Sequence, residues 1–175
     1  AGIGREREAH RDRARARALF GPGPKLLLVP GGQDPAKCWP KARFVALGRA
    51  FAEGHRGSVV VTGAPWEAEL VKSVARDIGP SARVFTGRSL SRLVALVEAC
   101  DLLVGNDTGP VHYGFFLRKR VLSIFSRMSP EVWGPPFADP RFSVLRAYDS
   151  LAPEADEHWS ALAIERMDAL MAGGG

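Results

Sequence analysis

Asp101-Leu102-Leu103-Val104-Gly105-Asn106-Asp107-Thr108-Gly109-Pro110-Val111-His112 is the stretch on which the fold turns. Residues 101–105 read as an apolar strand that gives way, through polar and glycine residues, to a helix over 110–117. Asp107 or Thr108 suits the capping position of that helix, and Pro110 suits its first turn. A strand that feeds a helix in this way is half of a β-α-β unit.

The same grammar repeats outward. Upstream, residues 25–30, 58–62 and 83–85 read as strands. The helical patterns between and after them cover 41–53, with Phe44, Leu47 and Phe51 on one face, then 66–78, with Leu70, Val74 and Ile78 at spacing four, then 90–100 through Leu90, Leu93, Val94 and Val97. Downstream come a strand over 121–125, a proline-rich loop over 130–140 and a weaker strand over 142–145. A closing helix over 153–172 carries the stripe Trp159, Ala163, Met167 and Leu170, and 173–175 reads as a frayed end. Alternating strands and helices predict a parallel sheet covered on both faces, and right-handed crossovers make it doubly wound. The predicted class is α/β, doubly wound, mainly parallel and Rossmann-like. Ligands of such sheets lie beyond the carboxyl ends of the strands, so functional residues should fall just after strands.

A chain of 175 residues with 46% hydrophobic content suits one such domain. No apolar run approaches bilayer-spanning length, the longest being 26–30, and the N-terminus carries no signal-peptide core. A cytoplasmic location is the expectation. Cys38 and Cys100 form no CxxC pair and no zinc spacing, and read as two reduced thiols. The net charge of +5 is local: arginines at 5, 7, 11, 13, 15 and 17 stand against Glu6, Glu8 and Asp12. The favoured reading is a solvated helix with some i,i+4 charge pairs. An arm for a phosphate-rich surface is the alternative. No aromatics interleave to stack on bases, so no specific nucleic-acid partner is expected.

The chemistry-bearing motifs all follow strands. Pro30-Gly31-Gly32 lets backbone approach a ligand, and Lys37 in Lys37-Cys38-Trp39-Pro40 is placed to balance a diphosphate. In the 105–112 block, the amides of Thr108 and Gly109 would face a phosphate with the helix dipole behind them. The plainer reading is an ordinary capped helix with His112 packed on the sheet. Glu67 and Glu69 follow the second strand, as sugar-hydroxyl acceptors or as first-turn acids favoured by a helix dipole. Ser89 reads as a helix cap after Phe85-Thr86-Gly87, and 126–133 as a loop covering part of a nucleotide.

In order, Pro30-Gly31-Gly32, Lys37-Cys38-Trp39-Pro40, Thr62-Gly63 with Glu67, Thr86-Gly87-Arg88-Ser89-Leu90 and the 105–112 block resemble the donor domain of the heptosyltransferases, GT-B glycosyltransferases of family nine. The resemblance spans roughly residues 25–136. It implies transfer of heptose from an ADP-heptose donor to the inner core of lipopolysaccharide, with inversion and without metal or other cofactor. It implies that Thr108 and Gly109 hold the diphosphate, with Gly31 in the donor-binding loop. Lys37 would offset leaving-group charge, Asp107 bind sugar hydroxyls, His112 sit near the phosphates and Glu67 near the nucleoside or sugar. Where the family carries small residues after the histidine, this chain has Tyr113-Gly114-Phe115-Phe116-Leu117-Arg118, so that helix should pack differently.

The resemblance also divides the chain into a connector remnant, 1–24, and a nucleotide-sugar-binding domain, 25–175. The family's general base, an aspartate, belongs to an N-terminal acceptor domain outside these residues. The chain is therefore expected to be a fragment or truncated product, one that binds donor without transferring it. Its implied partners are a nucleotide sugar and a lipopolysaccharide-type acceptor, with peripheral association at the inner face of the bacterial inner membrane. An isolated half is expected to expose apolar surface and self-associate. Three alternatives stand beside this reading: a non-catalytic nucleotide-binding module, a transferase of another nucleotide sugar, and a nucleophilic enzyme pairing Cys38 with His112.

Overall fold

The computed structural model describes residues 2–147 and 156–173. Six strands form one sheet: β1 (Lys25–Val29), β2 (Ser58–Gly63), β3 (Ala82–Thr86), β4 (Leu102–Asn106), β5 (Arg120–Phe125) and β6 (Phe142–Arg146). Every pairing is parallel and the order is β3-β2-β1-β4-β5-β6. The doubly wound class is confirmed, with the order reversing between β1 and β4. In sheets of this kind that crevice is where ligands lie.

Strand residues alternate between two cores. Leu26, Leu28, Val59, Val61, Leu102, Val104, Leu122 and Ile124 pack on one face, against α2 (Lys41–Gly54), α3 (Ala68–Ile78) and α7 (Asp156–Ala172). Leu27, Val29, Val60, Leu103 and Val121 pack on the other, against α1 (Gly2–Leu19), α4 (Leu90–Ala99) and α5 (Gly109–Phe116). A strand covered on both faces needs an unbroken apolar run, which is what 26–29 and 59–61 supply. Phe44, Leu47 and Phe51 are fully buried, as their spacing predicts. On α7 the stripe Ala163, Met167 and Leu170 is buried, with Trp159 packed beside it; the predicted start at 153–155 lies outside the described residues.

Three local features depart from the sequence reading. The 66–78 helix begins as a 3-10 turn at Pro65–Glu67, and only Ala68–Ile78 is α-helical. The proline-rich loop contains a short helix, α6 (Pro130–Trp133). The basic N-terminal helix is not solvated all round. Ala16 and Phe20 are buried and Asp12 is 4% exposed, all against the α4 side of the domain. Arg13 also reaches Glu98 of α4, with Nε 2.7 Å from Oε2.

The bulky run in α5 sorts by facing. Phe115 is fully buried and meets Phe142 edge-on at 5.0 Å, whereas Phe116 is 68% exposed. Gly114 lies against Val121, whose Cγ2 would stand 2.8 Å from an added Cβ, so the small residue is what lets α5 approach β5.

Candidate functional site

One cleft of about 610 Å³ opens at the carboxyl ends of the strands. The loops after β1, β2, β3, β4 and β5 all contribute to its walls. Gly31, Lys37, Glu67, Asp107, Thr108, Gly109 and His112, seven residues scattered over 82 positions of sequence (31–112), all line it. No described helix is long and apolar enough to cross a membrane. Among the described residues, no group of three His, Cys, Asp or Glu side chains is placed to hold a metal ion.

The β4–α5 turn forms the floor. Thr108 occupies the capping position of α5 in extended conformation, but no side chain caps the helix. The predicted cap is therefore not made. Thr108 Oγ1 donates to the Asn106 carbonyl at 3.2 Å, and Asp107 Oδ1 is engaged with His112 Nε2 at 3.0 Å. The start of α5 is left with its positive end towards the cleft and no side-chain acceptor to quench it. Nothing lies within 4 Å of where a Gly109 Cβ would be, so the space above it is free for a ligand. His112 is half-buried and holds Asp107 instead of packing passively on the sheet. Burial pushes the Asp107 carboxyl above its ordinary range, against the opposing pull of His112 and then Lys37.

Lys37 ends a 3-10 turn, Pro35–Lys37, which Asp34 caps by accepting the Ala36 amide at 3.0 Å. Its ammonium lies 3.7 Å from Asp34 Oδ2, and its side chain is about half exposed and lines the cleft. Its carbonyl accepts from the buried Ser126 hydroxyl, which pins this loop to the end of β5.

Glu67 and Gly31 form one unit. The Glu67 carboxylate turns back to accept the Ala64 amide at 2.6 Å. Its other oxygen would stand 2.2 Å from a Cβ on Gly31. The space that Gly31 leaves is taken up by this carboxylate. The glycine was expected to admit a ligand directly; here it admits Glu67, which presents itself to the cleft.

Asn106 is the residue that the sequence reading passed over. It is buried, accepts the Trp39 amide at 2.9 Å, and donates to the carbonyls of Pro30 at 2.9 Å and Gly31 at 3.2 Å. One side chain thereby ties the β1 loop, the Lys37 loop and the β4 end together across the switch point. A polar residue at the end of an otherwise apolar strand was the available signal.

Cys38 is not an activated nucleophile. Burial pushes its thiol up to about 11, with Glu67 and then Asp34 adding to the shift. Its Sγ donates to the Asp34 carbonyl at 3.4 Å and not to His112, whose Nε2 pairs with Asp107. The reading that pairs Cys38 with His112 is corrected on these grounds. Cys100 is a second free thiol, buried under the sheet.

An all-parallel sheet in this order, with its ligand-sized cleft at the point of reversal, places the chain in the Rossmann-like class of ligand-binding α/β domains. Comparison narrows the class. The family model of glycosyltransferase family 9 (heptosyltransferase) matches residues 5–158, and the chain belongs to that family. A lipooligosaccharide heptosyltransferase 2 of Haemophilus influenzae is 25% identical over 129 residues, 70% of this chain and 36% of that protein. Among solved structures, a glycosyl transferase of family 9 from Veillonella parvula superposes with a TM-score of 0.78 at 23% identity, over 94% of this chain and 52% of that one. The E. coli heptosyltransferase WaaC with ADP gives 0.66 at 20% identity, over 81% and 44%. The chain thus spans about a third of the length of the curated relatives it matches and about half that of the solved ones.

Proposed function

We propose that this domain binds the nucleotide-sugar donor of an inverting, metal-independent heptosyltransferase acting in lipopolysaccharide core synthesis, with an ADP-linked donor. The observation that carries the reading is the uncapped start of α5 lining the same cleft as Lys37. Two backbone amides, a helix dipole and a half-exposed ammonium suit a diphosphate, whose negative charge grows as the sugar departs. Lys37 stabilises that developing charge. Thr108 and Gly109 hold the diphosphate. Asp107, oriented by His112, accepts from sugar hydroxyls, and Glu67 from the nucleoside or sugar.

In this proposal an acceptor hydroxyl attacks the anomeric carbon from the side opposite the diphosphate. The C–O bond to the diphosphate breaks as the new one forms, and ADP leaves with the electron pair. The hydroxyl proton passes to an aspartate in an acceptor domain beyond these residues, so this chain alone binds donor without turnover. The work takes place in the cytoplasm, at the inner face of the membrane that carries the acceptor.

Calorimetric titration of ADP and UDP into the parent and Lys37→Ala tests the reading. Saturable ADP binding is expected, weakened about tenfold or more in the variant, the scale of one charge-assisted contact. Preference for UDP would move the protein to another donor class. No binding of either nucleotide would refute the donor-site assignment.

A further inference from the structure

The buried carboxylate of α1, that of Asp12, lies outside the lining of the cleft. Asp12 accepts from the Ser91 hydroxyl at 2.7 Å, with Arg92 Nε at 3.4 Å. Ser91 Oγ lies 2.9 Å from Ser89 Oγ, and Ser89 Oγ accepts the Arg92 amide at 3.4 Å as the cap of α4. Ser89 lines the cleft, between Arg88 and Leu90, which line it as well.

Proton counting orders this chain. Each serine hydroxyl has one proton and two lone pairs, while a carboxylate only accepts. Ser91 commits its proton to Asp12, so in the Ser89–Ser91 contact Ser89 is the donor. With its proton turned inward and one lone pair on the Arg92 amide, Ser89 keeps a single lone pair for the cleft.

We propose that Asp12 is a positioning residue for the cleft, which through Ser91 fixes Ser89 as an acceptor-only group on the β3–α4 wall. A ligand atom seated there has to be a donor, an N–H or O–H of the nucleoside. A phosphate oxygen finds no proton on Ser89. The cleft is thereby polarised, with donors for phosphate at the α5 end and an acceptor for the nucleoside at the α4 end. This inference rests on the nucleotide reading above.

ADP titration of Asp12→Ala, Ser89→Ala, the double variant, Asp12→Asn and Arg13→Ala tests it. Asp12→Ala and Ser89→Ala should each weaken ADP about three- to tenfold, the scale of one oriented hydrogen bond. The double variant should be no weaker than Ser89→Ala alone, because both changes break one chain. Asp12→Asn keeps an oxygen for Ser91 and should restore most of the affinity. Arg13→Ala, which cuts the other α1–α4 bridge, should bind like the parent. Additive losses, full affinity in Asp12→Ala, or equal loss in Arg13→Ala would overturn the inference. If the parent itself fails to bind ADP, the nucleotide reading falls. Hydrogen exchange then judges the chain of hydroxyls: the Arg92 amide should exchange faster in Asp12→Ala than in Arg13→Ala, and equal rates would count against it.

Discussion

Replacing Asn106 by alanine should be among the most damaging single changes near the cleft. The loss strands the buried Trp39 amide, whose acceptor was the Asn106 carbonyl oxygen, and removes the donor to the Pro30 and Gly31 carbonyls. A stranded buried donor costs about 1–3 kcal/mol, and the two carbonyls, nearer the cleft, regain part of theirs from water. The total is about 2–4 kcal/mol, or about 5–12 °C in Tm for a domain of this size. Asn106→Asp sharpens the test. It keeps an acceptor for Trp39 but turns an anionic oxygen towards two carbonyls. That repulsion raises the folded-state pKa of the new carboxyl, so protonation stabilises the variant and its stability should recover as pH falls. Urea denaturation of the parent and both variants at pH 7 and at about pH 5 reads this out. Asn106→Ala within about 0.5 kcal/mol of the parent would refute the clamp, since surface changes stay in that range. A gap between Asn106→Asp and the parent that did not narrow at the lower pH would refute the assigned donor and acceptor roles.

Three further outcomes are expected. Gly109→Ala has open space for its methyl, so thermal melts should show stability unchanged or raised by up to about 1 kcal/mol. ADP titration should show binding lost, and full binding would remove the phosphate from this helix start. Cys38, with its thiol near 11, should react slowly with iodoacetamide at neutral pH and faster as pH rises towards that value; rapid labelling at pH 7 would contradict its assigned surroundings. Arg141 and then Arg118 hold the Asp139 carboxyl well below the usual carboxylate range. A depressed folded-state pKa gives stability that is present above about pH 4 and is lost as pH falls below it. Any advantage of the parent over Asp139→Asn in urea should therefore shrink below about pH 4, and curves that stay parallel would exclude the ion cluster as its source.

Much of the fold was legible because a strand buried on both faces has to be written in an unbroken apolar run. Leu26–Val29 and Val59–Val61 are such runs, and period-four stripes mark the helices between. The site was legible for a related reason: in a parallel sheet, chain order alone sends every post-strand loop to one edge. What stayed hidden depends on distant partners. The inward stripe of α1 is spelled Asp12 and Ala16, too small and too polar to stand out, and it makes sense only beside Ser91 and Arg92. Asn106 works through backbone atoms, which look alike in every sequence. Thr108 looked like a cap by type, yet it spends its hydroxyl on Asn106.

The strand order has a consequence for how the chain comes to be. As synthesis proceeds, β2 joins one side of β1 and β3 joins β2, so the first three strands all accumulate in one direction. The opposite side of Leu26–Val29 waits until residues 102–106 emerge to pair with it. For that interval the most apolar strand of the nascent protein offers bare amides and carbonyls to any passing strand. The shared groove does not exist either, since its floor arrives with β4. A cell making this protein thus has to shelter one hydrophobic edge for the length of five further helices and strands, α2, β2, α3, β3 and α4, before there is anything able to hold a ligand.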